Sequence, residues 1–340
     1  MPCTPARDSG PGSVGQPTPV MPADAWGGLR SRFVASLDAE QQRRIFELST
    51  LTSRPLRRWA LRFPPMRDVR VLPVSLSVAA STPFASARAL QSMARLSLWV
   101  FTLDDLFDEG AAPLIELMRR ADRYRALAHG AWACPRDDGL GIALAELRND
   151  LASYPLFAPL AMDWADALCA TIDGMLREYE WRLAFREAAV LPDYDEYVTT
   201  GRQSIGAAPY ILATLITSED PSTPRHLAHL RTMEQVAATC LRLANDLRSY
   251  AKEVAEGKIN ALVILSRELR SQGAAGDEAD RQARARLRAG VAGGLGRLGA
   301  LRDSAVTQTG QPEAAIDNIA RFVCDFYTRH DYHTFKPRAA

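Results

Sequence analysis

Apolar residues recur at helical spacing along most of this chain. Residues 84–107 are apolar on most sides, through Phe84, Leu90, Met93, Leu96, Leu98, Trp99, Phe101 and Leu103. A helix without a polar face belongs inside a fold, so this one is expected at its centre. It ends in an acidic cluster, Asp104, Asp105, Asp108 and Glu109, with Gly110 as terminator. Upstream, 37–50 reads as a polar-faced helix, and prolines divide 54–83 into short helices and turns. Downstream, helices are predicted over 113–130, 141–153 and 157–186, with a new start at Asp193. Gly201, Gly206 and Pro209 then weaken or bend the pattern. A long helix over 225–256 is closed by Gly257. Asn260 opens another to 271, residues 272–280 read as a loop, and helices follow over 278–303 and 312–333. No strand-length stretch alternates with period two. The expectation is all-α: one helical-bundle domain over 26–335 with a central apolar pocket, a disordered leader over 1–25 and a tail over 336–340.

Composition narrows the function classes. A net charge of +1 excludes a broad nucleic-acid surface. Five scattered cysteines without CxxC spacing point to a reducing compartment and away from zinc or disulfides. No apolar run is long enough to span a bilayer, and the leader has no signal-peptide core, so the expected location is cytoplasmic.

The chemistry concentrates in two stretches. Asn245, Ser249 and Glu253 recur every fourth residue and share one face of the 225–256 helix. An amide oxygen, a hydroxyl and a carboxylate suit a hard cation better than a core. Mg²⁺ in particular takes octahedral oxygen ligands and shares its shell with phosphates. Asp104 and Asp108 are likewise four apart. Carboxylates at a helix C-terminus oppose the macrodipole and repel one another, so they call for compensating cations. Two such faces opposed across a bundle would clamp a diphosphate through shared metal ions.

Asp104-Asp105-Leu106-Phe107-Asp108 and Asn245-Asp246-Leu247-Arg248-Ser249-Tyr250-Ala251-Lys252-Glu253 resemble the DDxxD and (N/D)DxxSxxxE motifs of bacterial class I terpene synthases, a likeness covering about nine-tenths of the chain. The resemblance implies three Mg²⁺ ions (Mn²⁺ as substitute) on Asp104, Asp105, Asp108, Asn245, Ser249 and Glu253, with Asp104 the principal carboxylate. It implies diphosphate contacts from Arg202, Arg248, Lys252, Arg329 and Tyr332. It also implies a cation-stabilising pocket drawn from Trp99, Phe101, Trp181, Tyr197 and Phe322. Asp104, Asn245, Glu253, Arg202 and Tyr332 would carry catalysis on a prenyl diphosphate, and homodimers are common in the family.

Two positions depart from the family pattern. Gly201 stands where an Arg follows Tyr197 by four, with Arg202 next in line. Asp331 replaces the Arg of a C-terminal Arg-Tyr pair, leaving Tyr332 and, as substitute base, Arg329. The segment from Glu196-Tyr197 to Ser204-Ile205 is similar to kaurene-synthase-like enzymes and tilts the expectation toward a C20 substrate, geranylgeranyl or copalyl diphosphate, over farnesyl diphosphate. A chain-elongating prenyl synthase would carry a second aspartate-rich motif, and a protonating cyclase a DxDD motif. A non-catalytic prenyl-binding protein would need the pocket but not both acidic faces.

Overall fold

A computed structural model describes residues 31–108, 112–131 and 134–332. The expected leader, the tail, Glu109 and Gly110 lie outside these residues. Among the described residues there is no strand, and no helix is long and apolar enough to cross a membrane.

A short α1 (Arg32–Ala35) precedes α2 (Ala39–Ala60), which Asp38 and Gln41 open as a reciprocal capping box. The sequence expectation of short pieces fails here, because Pro55 lies inside α2. Its ring sets the carbonyl of the preceding turn aside at Leu51, an exposed residue on the outer face of the helix, where solvent access lowers the cost. A 3₁₀ turn (Asp68–Arg70) leads into α3 (Val71–Ser81), with Pro73 in the first turn, where its missing N–H is harmless. The central helix is α4 (Ala87–Asp108), with Leu90, Met93, Ala94, Leu96, Leu98, Trp99 and Leu103 inaccessible to solvent. Around it stand α5 (Leu114–Ala128), α6 (Gly139–Leu151) and α7 (Phe157–Ala188).

The bend expected near residue 206 is a full break. α8 (Tyr194–Ser204) ends at Ile205, Gly206 turns left-handed at φ 70°, and α9 (Ala207–Thr217) restarts. Gly206 is required twice over, since a Cβ there would collide with Val100 of α4 and the backbone disfavours any L side chain. The long α10 (Leu227–Ala255) packs on α8, α9, α12 (Gly276–Asp303) and α13 (Gln311–Tyr327), and α11 (Ala261–Ser271) follows it after a tight turn. α12 begins inside the predicted 272–280 loop, and α13 stops at Tyr327 rather than 333. Apolar side chains form one large core and a smaller cluster of Trp181, Tyr197, Leu243, Leu262, Leu265 and Leu287 between α7, α8, α10, α11 and α12.

Candidate active site

The C-terminal ends of α4 and α10 face a common cavity of about 630 Å³. From α4 come Phe101, Asp104, Asp105 and Asp108; from α10 come Asn245, Ser249, Lys252 and Glu253. The two oxygen-rich faces therefore share one cavity. Trp181, Tyr197, Val100 and Ile205 supply apolar wall, so the helix break opens directly onto the cavity.

The second face is held by hydrogen bonds that the motif alone did not reveal. Asn260 caps α11 through its Oδ1, which accepts from Leu262 N–H at 2.9 Å. Its amide nitrogen donates to the Asp246 carbonyl at 3.0 Å and to Glu253 Oε2 at 2.7 Å. Glu253 is thus oriented by the start of the next helix. Ser249 Oγ donates to the Asn245 carbonyl at 2.9 Å. Asp246 is inaccessible and points away from the acids of α4: Ala261 N–H donates to it at 3.2 Å, and Arg242 Nε pairs with it at 3.1 Å. Burial raises the Asp246 and Glu253 carboxyls above their ordinary range, and the Asp246 charge adds to the shift at Glu253.

Arg242 is the hub of this buried chemistry. Its guanidinium holds Glu178 of α7 at 3.0 Å, contacts the Tyr197 hydroxyl and lies over that ring at 4.8 Å. Ser204, the last residue of α8, donates to the same Glu178 oxygen at 2.5 Å. A Cβ at Gly201 would approach Arg242 Cδ and Nε to 2.9 Å. The absent side chain at 201 therefore leaves the room that the Arg242 stem fills. α10 thus places a guanidinium stem against the position where α8 carries glycine.

The acidic face is also neutralised by arginines far away in sequence. Arg70, fully buried, forms a two-pronged pair with Asp105, both contacts at 2.7 Å, and donates to the Phe101 carbonyl at 2.9 Å. Arg67 adds a contact to Asp105 at 3.3 Å. Asp105, expected among the metal ligands, lines the cavity with both of its oxygens engaged by Arg70. Arg182 of α7 donates to Asp108 Oδ1 at 3.2 Å and to the carbonyls of Asp108 and Phe107, the α4 end that calls for positive charge.

Other expected residues divide. Phe101, Trp181, Tyr197 and Lys252 line the cavity. Trp99 does not: it is wholly in the core, donating to the Leu140 carbonyl at 2.8 Å and meeting Tyr124 edge-on. Phe322 is equally remote, packed between Phe33 and Phe326. Both sit on helix faces that look away from the cavity, which an all-round apolar pattern cannot distinguish. Tyr332 backs the cavity wall, stacked on Phe101 at 4.7 Å with its hydroxyl on Ser77. Arg202 is half-buried beside Glu234, and Arg248 and Arg329 are exposed near His330; none of the three lines the cavity. Arg67, Arg182, Arg242 and Lys258 line it instead.

The donor set fits a hard divalent cation. All candidate donors are oxygens on two rigid helices facing one cavity. Among the described residues no three His, Cys, Asp or Glu groups converge on one point, so an ion held here would need Asn245, Ser249 or oxygens from a ligand to complete its shell. Oxygen-rich helix ends, several bases and an apolar wall thus share one cavity of an α-helical fold, a set of groups that suits divalent cations and an anionic, partly apolar ligand.

Comparison with known proteins gives this class its family. Residues 95–289, which contain both motifs, match terpene synthase family 2, C-terminal metal binding, and the chain belongs to that family. It is similar to (+)-T-muurolol synthase of Roseiflexus castenholzii, 28% identical over 61% of this chain and 65% of that one. It also resembles the bifunctional cis-abienol synthase of Abies balsamea, 24% identical over 56% of this chain but 22% of that much longer one. The alignments thus span less than two thirds of these relatives. The fold is shared with 2-methylisoborneol synthase of Streptomyces coelicolor A3(2) at a TM-score of 0.67 and 17% identity, covering 86% of this chain and 94% of that one.

Proposed function

We propose that this protein is a class I terpene synthase, a lyase that ionises a prenyl diphosphate and guides the resulting carbocation to a cyclised or rearranged terpene. The observation that carries the reading is the convergence of Asp104 and Asp108 with Asn245, Ser249 and Glu253 on one cavity whose far wall is aromatic and apolar. Bound there, Mg²⁺ would supply charge to the departing diphosphate, with three ions the expected number and Mn²⁺ a substitute.

The chain's own residues provide the rest. Asp104 and Asp108 would hold cations from α4, and Asn245, Ser249 and Glu253 would hold them from α10, with Asn260 fixing Glu253. Arg242, Arg182, Lys252 and Lys258 place positive charge on the diphosphate side, stabilising the leaving group as it gains charge. Phe101, Trp181 and Tyr197 offer ring faces to the carbocation. Val100 and Ile205 keep that end of the site dry against early capture by water. Asp246, Asp105 and Glu178 act one step back, holding Arg242 and Arg70 in position.

The substrate reading favours a C20 diphosphate, geranylgeranyl or copalyl, from the Glu196–Ile205 likeness to kaurene-synthase-like enzymes. Farnesyl diphosphate is the second reading, favoured by the relative named as cyclising (2E,6E)-farnesyl diphosphate. The protein is placed in the cytoplasm, with a homodimer as the assembly to test.

Incubation with Mg²⁺ and each of the three diphosphates, followed by pyrophosphate release and gas chromatography–mass spectrometry of extracts, tests both levels. A cyclic product from one substrate supports the reading and sets the carbon count. Asp104→Ala and Asn245→Ala are expected to abolish pyrophosphate release while helicity is retained. Undiminished release in both variants would refute the metal-clamp assignment.

A further inference from the structure

One residue ties the two oxygen-rich faces together. α10 ends in a Schellman turn: Gly257 takes φ 66°, its N–H donates to the Val254 carbonyl at 3.2 Å, and Lys258 N–H donates to the Glu253 carbonyl at 2.8 Å. The turn aims Lys258 back across the cavity. Its ammonium reaches Asp108 Oδ2 at 2.8 Å and Glu256 Oε2 at 3.0 Å. Lys258 thus closes the peptide turn behind Glu253 with its backbone and grips the end of α4 with its side chain, bridging 150 residues of sequence.

Asp108 has two cationic partners of different character. Arg182 is anchored by three hydrogen bonds, two of them to backbone carbonyls at the end of α4, and its side chain is 8% exposed. A planar guanidinium so held has nowhere to go. Lys258 is a single ammonium on a flexible stem, 19% exposed, bonded to two carboxylates that are themselves about two-fifths exposed. Of the two, only Lys258 is built to let go. A divalent cation at Asp108 would compete for the oxygen Lys258 holds and repel its ammonium at close range.

We propose that Lys258 is the exchangeable counter-ion of this site: it holds Asp108 until a divalent cation takes that carboxylate, then turns its ammonium to the incoming diphosphate. The inference rests on the metal-and-diphosphate reading above and adds to it an ordered exchange of charge. Lys258 is then a positioning residue for the acid and a ligand for the anion in turn. Lysine is required over arginine because one compact, mobile charge must serve both.

Acylation of lysines by an amine-reactive reagent, mapped by mass spectrometry on the wild-type protein, reads this exchange without turnover. The Asp108 and Glu256 contacts protect Lys258 at the outset. Mg²⁺ alone is expected to raise its labelling rate about five- to tenfold. Mg²⁺ with inorganic diphosphate is expected to return it to the protected level. A rate at Lys258 indifferent to Mg²⁺, or one that diphosphate does not lower, overturns the proposal. Mn²⁺ titration followed by electron paramagnetic resonance supplies an independent measurement. Lys258→Met is expected to bind Mn²⁺ alone more tightly than wild type, and Mn²⁺ with diphosphate more weakly. Equal or weaker binding of Mn²⁺ alone counts against the exchange. A protein that turns over no prenyl diphosphate yet shows this labelling pattern would leave the exchange standing and sink only the catalytic reading.

Discussion

Replacing Asn260 by Asp changes one group and asks how the metal-side carboxylates are held. The variant keeps the oxygen that caps α11 but turns a donor into an acceptor at a fully buried position. The new carboxylate would face Glu253 Oε2, 2.7 Å from the atom it replaces, and the Asp246 carbonyl at 3.0 Å. Two charges about 3–4 Å apart repel by roughly 4–6 kcal/mol at an effective dielectric near 20. Two buried acceptors that lose their donor cost about 1–3 kcal/mol each, an overlapping account of the same loss. A destabilisation of roughly 4–6 kcal/mol in mildly alkaline buffer is therefore expected, a large share of a domain's stability. The sign of the pH response follows. Repulsion raises the pair's pKa in the folded state above its unfolded value, so the folded variant binds more protons and regains stability as pH falls. Urea denaturation followed by far-ultraviolet circular dichroism at about pH 8 and about pH 5.5 measures both quantities. Added Mg²⁺ should narrow the gap by neutralising Glu253. An Asn260→Asp variant as stable as wild type at the higher pH, or one whose deficit widens as pH falls, would refute the argument.

Three further outcomes are expected. Arg242→Met strands Asp246 and Glu178 without their cation and should destabilise the protein by about 3–5 kcal/mol, read as a fall in the urea midpoint; near-neutral behaviour would show that the pair is dispensable. Gly206→Ala forces a Cβ against Val100 at a left-handed position and should cost about 2–4 kcal/mol, with a thermal melt as the check. Burial pushes the Glu313 carboxyl up, but the Thr307 hydroxyl and the Thr307 and Val306 amides outweigh it and hold it below the ordinary range. Its stabilisation is then present above the unfolded pKa and lost as pH falls through the folded one, so Glu313→Gln should flatten the decline in stability below about pH 5.

The fold was legible wherever a residue's meaning is set within a turn or two of helix. The all-α class and the central 84–107 segment follow from apolar periodicity, an interruption near Gly206 from its glycines and proline, and the shared helix face of Asp104 with Asp108, and of Asn245, Ser249 and Glu253, from every-fourth-residue spacing. Pro55 misled because the structural cost of an internal proline depends on whether its freed carbonyl meets water, a tertiary fact. The arginines at 67, 70 and 182 were invisible for a related reason. A charged residue that reaches a carboxylate 35 or 74 positions away leaves no periodic mark. Only Arg242, one helical turn before Asp246, carried a local signal. Trp99 and Phe322 show the converse limit: a helix apolar on every side says that its aromatics are buried, not which of them look into the cavity.

The separation of the apolar interior into a large core and a small cluster has a consequence for how the molecule melts and diversifies. The acids of α4 are rooted in the large core, whereas Tyr197, Leu243, Leu262 and Leu287 of the small cluster support Arg242, Asp246 and the turn bearing Asn260. The ligand cavity lies along the seam. Two apolar clusters meeting at a polar seam are expected to open as separate cooperative units, the smaller at lower free energy. Amide exchange should then be faster and uniform across α8, α11 and the first half of α12, and slow through α4 and α9. Substitutions at Leu262, Leu265 or Leu287, members of the small cluster that do not line the cavity, would tune how readily the site breathes while leaving the wall at Val100, Phe101, Trp181 and Tyr197 unchanged.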